Sequence, residues 1–458
     1  MTYTLPGGEP MKAGLVCVAG LVTMGWLAAG GTLAAQSRAA TAPTFTKDVA
    51  PILYKNCISC HRAGEIGPMS LVTYEDVRPW ARAIRDRVQS GQMPPWFAEG
   101  DHGRFTNERR LSDQDKATLT AWVAGGAAQG NQKDLPPVPQ FATGWQIGKP
   151  DAVFEMPESF SIPASGTIEY QYYEVPTHFT EDRWIQAAEV RPGDPKHVHH
   201  VIVSVIEPTR EPRPGIMQVK PIIPPNQPPA PPRAAARQQS DEEKATAARR
   251  AGAITLVPWA AGEEPHVYPV GTAKRIPAGS TLLFSQHYTA NGKEGSDRTK
   301  IGFIFSKEPP QREIRTGQIL NTQFVIPPGA SDVQVESEAT MLEDAKVWTL
   351  HPHMHLRGKD MTYSVIYPDG RTEVVLKVPR YYPDWQTDYY LKEPLVLPKG
   401  SKIHVTAHFD NSPGNKYNPD PKETIRWGEQ SWEEMMIGWL TYTADHQPLP
   451  GAKATGQQ

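Results

Sequence analysis

Three histidines fall at every second position in Leu350-His351-Pro352-His353-Met354-His355-Leu356-Arg357-Gly358. Alternate side chains of an extended strand share a face, so His351, His353 and His355 are spaced to present three imidazoles to one surface. Polar rings packed together in a core would each need a hydrogen-bond partner. A metal ion satisfies them directly, and neutral imidazole suits copper and zinc. Two other stretches repeat the theme, Lys196-His197-Val198-His199-His200 and Gln286-His287-Tyr288. Together the three stretches hold seven of the 14 histidines (three, three and one). A thioether-rich stretch, Glu434-Met435-Met436, comes later, and Met436 points away from Met435 in a regular strand. By parity His197 and His199 share a face. Adjacent His199 and His200 do not, so their joint ligation needs a bend or a strand end. His404 and His408 share a strand face and are read as structural.

A different chemistry lies upstream. Cys57-Ile58-Ser59-Cys60-His61 is the C-x-x-C-H pattern of covalent c-type haem attachment, with His61 placed as the proximal iron ligand. Phe45 to Asn56 suits a short amphipathic helix before the motif. Gly91-Gln92-Met93-Pro94-Pro95-Trp96 sets a methionine on a proline-stiffened loop after it. Met93 is the expected distal ligand and Met69 the alternative, since Met/His ligation raises the potential. Ser112 caps a helix running through Trp122 and Val123. This layout over residues 44–132 resembles the small class I cytochromes c.

Composition narrows the function classes. The chain has 458 residues, a formal charge of −3 and 46 prolines. That charge gives no electrostatic case for nucleic acid, and so much proline argues against a long all-helical protein. The only cysteines are Cys17, Cys57 and Cys60, so no disulfide framework is expected. Lys12 precedes an apolar run, residues 13–35, that reads as an export signal or a retained anchor. Periplasmic or cell-envelope placement follows, with membrane contact only if the segment is retained.

After a linker at 133–149 the pattern changes to short β-rich runs between Gly, Pro, Asn and Asp turns. Val201–Ile206, Thr281–Phe284, Ile301–Phe305, Thr372–Leu376 and Lys402–Thr406 are examples. Many strands without intervening helices suggest β-sandwiches. We divide them at residue 308, into 150–307 and 308–446, followed by a tail at 447–458. Within the first, residues 207–261 read as a Pro/Ala-rich surface insertion, with a short capped helix at Ser240–Gly252.

Val198-His199-His200, His287-Tyr288, His353-x-His355-Leu356-x-Gly358 and Glu434-Met435, in this order, resemble the copper type II, ascorbate-dependent monooxygenases. That family includes the peptidylglycine alpha-hydroxylating and dopamine beta-monooxygenases. The resemblance covers about residues 150–446 and is closest to bacterial members with an N-terminal cytochrome c domain. It implies an electron-transfer copper on His199, His200 and His287, with His197 as the alternative ligand. It implies an oxygen-binding, catalytic copper on His353, His355 and Met435, with His351 as the alternative. It also implies hydroxylation of a C–H bond, the second electron crossing a solvent-filled cleft. The soft thioether favours Cu(I), the oxidation state that binds dioxygen. Family members acting on peptides have an arginine where His351 stands here, and an asparagine and a tyrosine where Ile437 and Trp439 stand. Peptide-carboxylate recognition is therefore not implied.

The expected architecture is a small all-α cytochrome c-like domain followed by two all-β, jelly-roll-like sandwich domains. The expected function is that of an exported copper monooxygenase using haem c and two copper ions. Its partners would be a small organic substrate, O2, and an envelope electron donor or ascorbate-like reductant. The alternatives are a non-catalytic haem/copper electron-transfer or copper-binding protein, and an adhesion or carbohydrate-binding sandwich tethered to a cytochrome.

Overall fold

The computed structural model describes residues 42–445, apart from 101, 143, 210–214, 226, 228–245, 247, 251 and 261. The apolar segment 13–35, the tail from 446 and most of the expected helix Ser240–Gly252 lie outside the described residues. Among those described, no helix is long and apolar enough to cross a membrane.

The chain is mostly β, and most of its described helices lie near the N-terminus. A wide turn at Phe45–Val49, closed by an i→i+5 bond from Val49 N to Thr44 O, runs into α1 (Ala50–Asn56). Pro51 stands in the first turn of α1, where its missing N–H costs nothing. Then follow α2 (Tyr74–Val77), opened by a Thr73/Asp76 capping box, and α3 (Ala81–Gln89). Helix α4 (Asp113–Ala124) starts where expected: Ser112 Oγ accepts from Asp115 N at 3.1 Å. Phe45, Leu53, Ile58, Leu119 and Trp122 make the core of this region.

Two β-rich regions follow, each with its own core. In the first, strands Ala152–Glu155, Lys300–Phe305, Arg183–Arg191, Thr272–Ile276 and Arg312–Glu313 lie side by side, with His266–Val267 pairing Arg183–Arg191. A four-stranded sheet, Gln171–Pro176, Thr281–Tyr288, Val198–Ile206 and Ile254–Ala260, shares their core. The second region has a sheet of Arg315–Leu320, Ile437–Ala444, Ala345–His353 and Tyr389–Leu397. Its five-stranded sheet is Thr372–Val378, Gly358–Ile366, Lys402–Phe409, Val333–Met341 and Met217–Ile222. Strand Lys402–Phe409 shows the alternation plainly: Ile403, Val405, Ala407 and Phe409 are buried, while His404 and His408 face out toward Glu336 and Asp360.

All five strands read from the sequence are strands in the structure. Three expectations about boundaries are corrected. Residues 207–261 are not merely a surface insertion. Met217–Ile222 pairs with Val333–Met341 and Ile254–Ala260 pairs with Val198–Ile206. Pro221 is tolerated there because Met217–Ile222 is an edge strand. The change of sheet falls not at 308 but between Glu313, paired with Ala273, and Arg315, paired with Tyr442. Finally, residues 44–132 are not self-contained. Trp96, Phe97 and Phe105 are buried in the second β region, Trp96 lying 5.0 Å from the Tyr389 ring and Phe97 4.4 Å from that of Tyr382. Backbone bonds from Glu99 to Lys377 and from Thr106 to Tyr390 fix this strap. At about 1.5–3 kcal/mol for each large apolar side chain buried, it is a substantial attachment.

Candidate metal centres and the cavity between them

His199 and His200 open strand Val198–Ile206, and His287 closes Thr281–Tyr288. His200 and His287 are direct cross-strand partners, and the register shifts between His287 and Tyr288. The strand end and this shift supply the bend that adjacent histidines need to face one point. One nitrogen from each of the three rings lies within 4.8 Å of the others. Tyr170 stacks on His287, with ring centroids 4.7 Å apart, and its hydroxyl is 2.7 Å from His200 Nε2. Ser431 Oγ is 3.1 Å from His287 Nε2. His287 Nδ1 is buried without a hydrogen-bond partner, and the Nδ1 atoms of His199 and His200 are 2.9 Å apart. On His200 and His287 the nitrogen not met by a hydroxyl is Nδ1, and His199 turns its own Nδ1 toward that of His200. Burial, then the neighbouring rings, pushes His287 down to about 3 and His200 well below its usual value. These rings are neutral, as ligands must be.

His197 does not join them. Its Nδ1 is 2.6 Å from Asp194 Oδ2 and its Nε2 is 3.1 Å from Lys293 O. Both nitrogens are spent on holding the loop before the strand.

The second group is built differently. His353 ends strand Ala345–His353 and His355 lies just beyond it, their ring centroids 5.2 Å apart. His353 Nδ1 donates to Gln386 Oε1 at 2.6 Å, and His355 Nδ1 donates to Glu433 O at 3.2 Å. Those acceptors fix the proton on Nδ1 and leave Nε2 bare on both rings. Burial, then His355 and His351, hold His353 well below its usual value, and burial takes His355 down to about 4. Half-buried Met435 stands two residues before Ile437, the cross-strand partner of His353. Met436 is fully buried in the core. Glu434 clamps the turn: its carboxylate accepts from His355 N at 2.8 Å and Arg357 N at 2.6 Å. His351 is turned to a separate partner, its Nδ1 lying 2.9 Å from Asp388 Oδ1.

Two short segments of the second β region each touch both groups. Asp384 approaches His199 at 3.7 Å while Gln386 holds His353. Ser431 meets His287 while the Glu433 carbonyl holds His355. Two short stretches, Asp384 to Gln386 and Ser431 to Glu433, thus link the two groups. Beside them lies a cavity of about 290 Å³ with His200 and His353 in its wall and Trp259, Trp348 and Trp439 as apolar faces. A second cavity of about 920 Å³ lies between Cys60 and Trp259, and Trp259 lines both.

Sequence reasoning missed Tyr170, Gln386, Glu434 and Ser431 as partners of the histidines. Glu434 carried a faint signal, since it precedes Met435. Gln386 carried none, because nothing in its neighbourhood marks it as the mate of a histidine 33 residues earlier.

At the haem motif, Cys57 and Cys60 are free thiols and His61 Nδ1 is 3.3 Å from Met69 O. Donation to that carbonyl leaves His61 Nε2 unengaged, so Cys57, Cys60 and His61 would be able to hold a haem. Gly67 packs so closely on this turn that a Cβ would lie 2.8 Å from His61 Nδ1. The Met69 carbonyl thus lies on the Nδ1 side of His61, and the Met69 side chain packs against the helical core. Met93 is 42% exposed on the loop after α3.

No protein-family model matches the chain, and comparison with curated proteins finds no match. Among solved structures, the chain is similar to allantoicase from Saccharomyces cerevisiae, at 8% identity, TM-score 0.16, and 62% and 80% of the two chains covered. It is also similar to the infectious bursal disease virus VP2 subviral particle, at 10% identity, TM-score 0.17, and 65% and 72% coverage. Likenesses this small carry no argument about fold or function.

Proposed function

We propose that this chain is an exported copper-dependent monooxygenase of the copper type II family, with two β-sandwich domains and a fused class I cytochrome c-like domain. One observation supports the reading most strongly. Two groups of buried imidazoles, held neutral by burial, lie close together: His199, His200 and His287 cluster within metal-binding reach, His353 and His355 keep Nε2 unengaged, and one ring of each group, His200 and His353, lines one cavity. Copper at His199, His200 and His287, and at His353, His355 and Met435, would supply single-electron exchange and dioxygen activation. Haem c on Cys57, Cys60 and His61, with Met93 distal, would supply the electrons.

The residues of the chain do the rest. Gln386 and the Glu433 carbonyl keep the protons of His353 and His355 on Nδ1. Tyr170 and Ser431 occupy the outer nitrogens of His200 and His287. Trp259, Trp348 and Trp439 offer a small organic substrate an apolar wall beside His353. In the net reaction one oxygen atom enters a C–H bond and the other leaves as water, using two electrons and two protons. The experiment is to load the exported protein with copper, reduce the haem, and follow haem re-oxidation and O2 uptake with candidate substrates. Substrate-dependent uptake with about one iron and two coppers per chain supports the reading. Bound copper with no substrate-dependent uptake supports an electron-transfer protein instead, and iron without copper ends both.

A further inference from the structure

Glu263, His266 and Asp388 belong to neither histidine group. The first two come from the stretch between Ile254–Ala260 and Thr272–Ile276, and Asp388 directly precedes Tyr389–Leu397. One ligand atom of each lies within 4.8 Å of the others. The tautomer of His266 is set by its surroundings. Its Nε2 is 2.9 Å from Pro258 O, which only accepts, so Nε2 carries the proton. The Nδ1 lone pair then faces Asp388 Oδ2 at 3.8 Å. Two acceptors facing each other in a buried place repel unless something positive lies between them.

The surrounding donors do not fill that need. The Tyr390 hydroxyl faces both His266 Nδ1 at 3.0 Å and Glu263 Oε1 at 3.3 Å, and burial, then the neighbouring Asp388, pushes the metal-free Glu263 carboxyl up to about 8. His351 is spent on Asp388 Oδ1, and Thr387 on Glu263 Oε2. The nearby cations are engaged elsewhere. Lys274 Nζ donates to Leu256 O and Thr316 Oγ1, and Arg109 donates to Gly262 O and reaches Glu264. A second, independent observation concerns Tyr268. It lines the 290 Å³ cavity together with Glu263, His266 and Asp388, is 8% exposed, and its buried hydroxyl has no hydrogen-bond partner.

We propose that Glu263, His266 and Asp388 form a third metal site, for a divalent cation such as Zn2+, which clamps the two β-rich regions together. Two carboxylates and one imidazole suit such an ion, with an open position for a water that the Tyr268 hydroxyl can meet. Because the ligands come from both regions, the ion stabilises their present arrangement by mass action. Nothing in this depends on copper or on oxygenase activity.

The test uses the full-length, copper-loaded protein. It is incubated with Zn2+, dialysed, and assayed for metal content and melting temperature. Crystals of the same material are measured at the zinc absorption edge. We expect about one Zn2+ per chain, a melting temperature that rises with Zn2+ concentration, and an anomalous peak among Glu263, His266 and Asp388. Glu263→Gln and His266→Gln lose that Zn2+ and keep their copper. Retention of the ion by both variants overturns the proposal, as does anomalous density at the histidine groups alone. If a variant does not fold, the wild-type anomalous map decides. A chain that takes zinc here but no copper anywhere would sink the oxygenase reading and leave this one standing.

Discussion

The two histidine groups use the same side chain in opposite senses. In the first, the outer Nε2 atoms of His200 and His287 are occupied by the hydroxyls of Tyr170 and Ser431, and their Nδ1 atoms are left without such a partner. In the second, Gln386 and the Glu433 carbonyl take Nδ1 and leave Nε2. A hydroxyl both donates and accepts, so it tolerates either tautomer of its histidine. A carbonyl oxygen tolerates only one. The first group can therefore adjust its protons, and the second is preset; under the proposed function, the permissive group would be the one that passes electrons and the preset group the one that holds the reacting centre.

The largest effects should come from removing ligands. His199→Ala and His353→Ala should each lose one copper and keep the other, and both should abolish substrate-dependent O2 uptake. They should differ in the haem. Anaerobic haem re-oxidation by copper should survive in His353→Ala and fail in His199→Ala, read by stopped-flow absorbance. Equal survival in both would mean that the division of labour is wrong.

Next come the partners. Gln386→Leu removes the acceptor that fixes His353, and loss of such a partner typically weakens metal binding about 10–100-fold. Tyr170→Phe should weaken the first site less, since the hydroxyl does not impose a tautomer. Competition with a copper chelator measures both. A larger loss in Tyr170→Phe would erase the contrast between a permissive and a preset group.

Protons give a smaller, graded test in metal-free protein. In the folded chain His287 is pushed down to about 3 and His355 to about 4, against about 6.5 when unfolded. Between those values the unfolded chain binds more protons, so unfolding free energy rises with pH. The stability is fully present above about pH 6.5 and is lost as pH falls toward 4 and then 3. Thermal melts of chelated protein should show this slope, and His287→Leu should make it shallower. A variant with the unchanged slope would assign the acid sensitivity to other groups.

The sequence made some of this legible and hid the rest, for physical reasons. Strands with strict alternation, such as Lys402–Phe409, and the Ser112 cap were visible because their causes are local. The gathering of His199, His200 and His287 was implied by the family resemblance and not by strand parity, which favoured His197; the register shift that permits it was not foreseen. Neither the strap from Trp96 to Phe105 nor the edge strand Met217–Ile222 announced its distant partner, because pairing across more than a hundred residues leaves no periodic trace. The acceptors that set each tautomer were hidden for the same reason.

His197 offers the smallest expected effect on copper. Parity favoured it over His200 as the mate of His199, yet it is a buried residue with both nitrogens used, one on Asp194 and one on the Lys293 carbonyl. His197→Ala leaves that carbonyl and carboxylate without their partner, which costs about 1–3 kcal/mol of stability. Its hydrogen bonds involve none of the three clustered rings. Copper per chain should stay at two while the melting temperature falls, and the spin resonance of the first copper should keep its line shape. A changed line shape with unchanged stability would make His197 a ligand, and would move the bend at His287 from a cause of the site to an accident beside it.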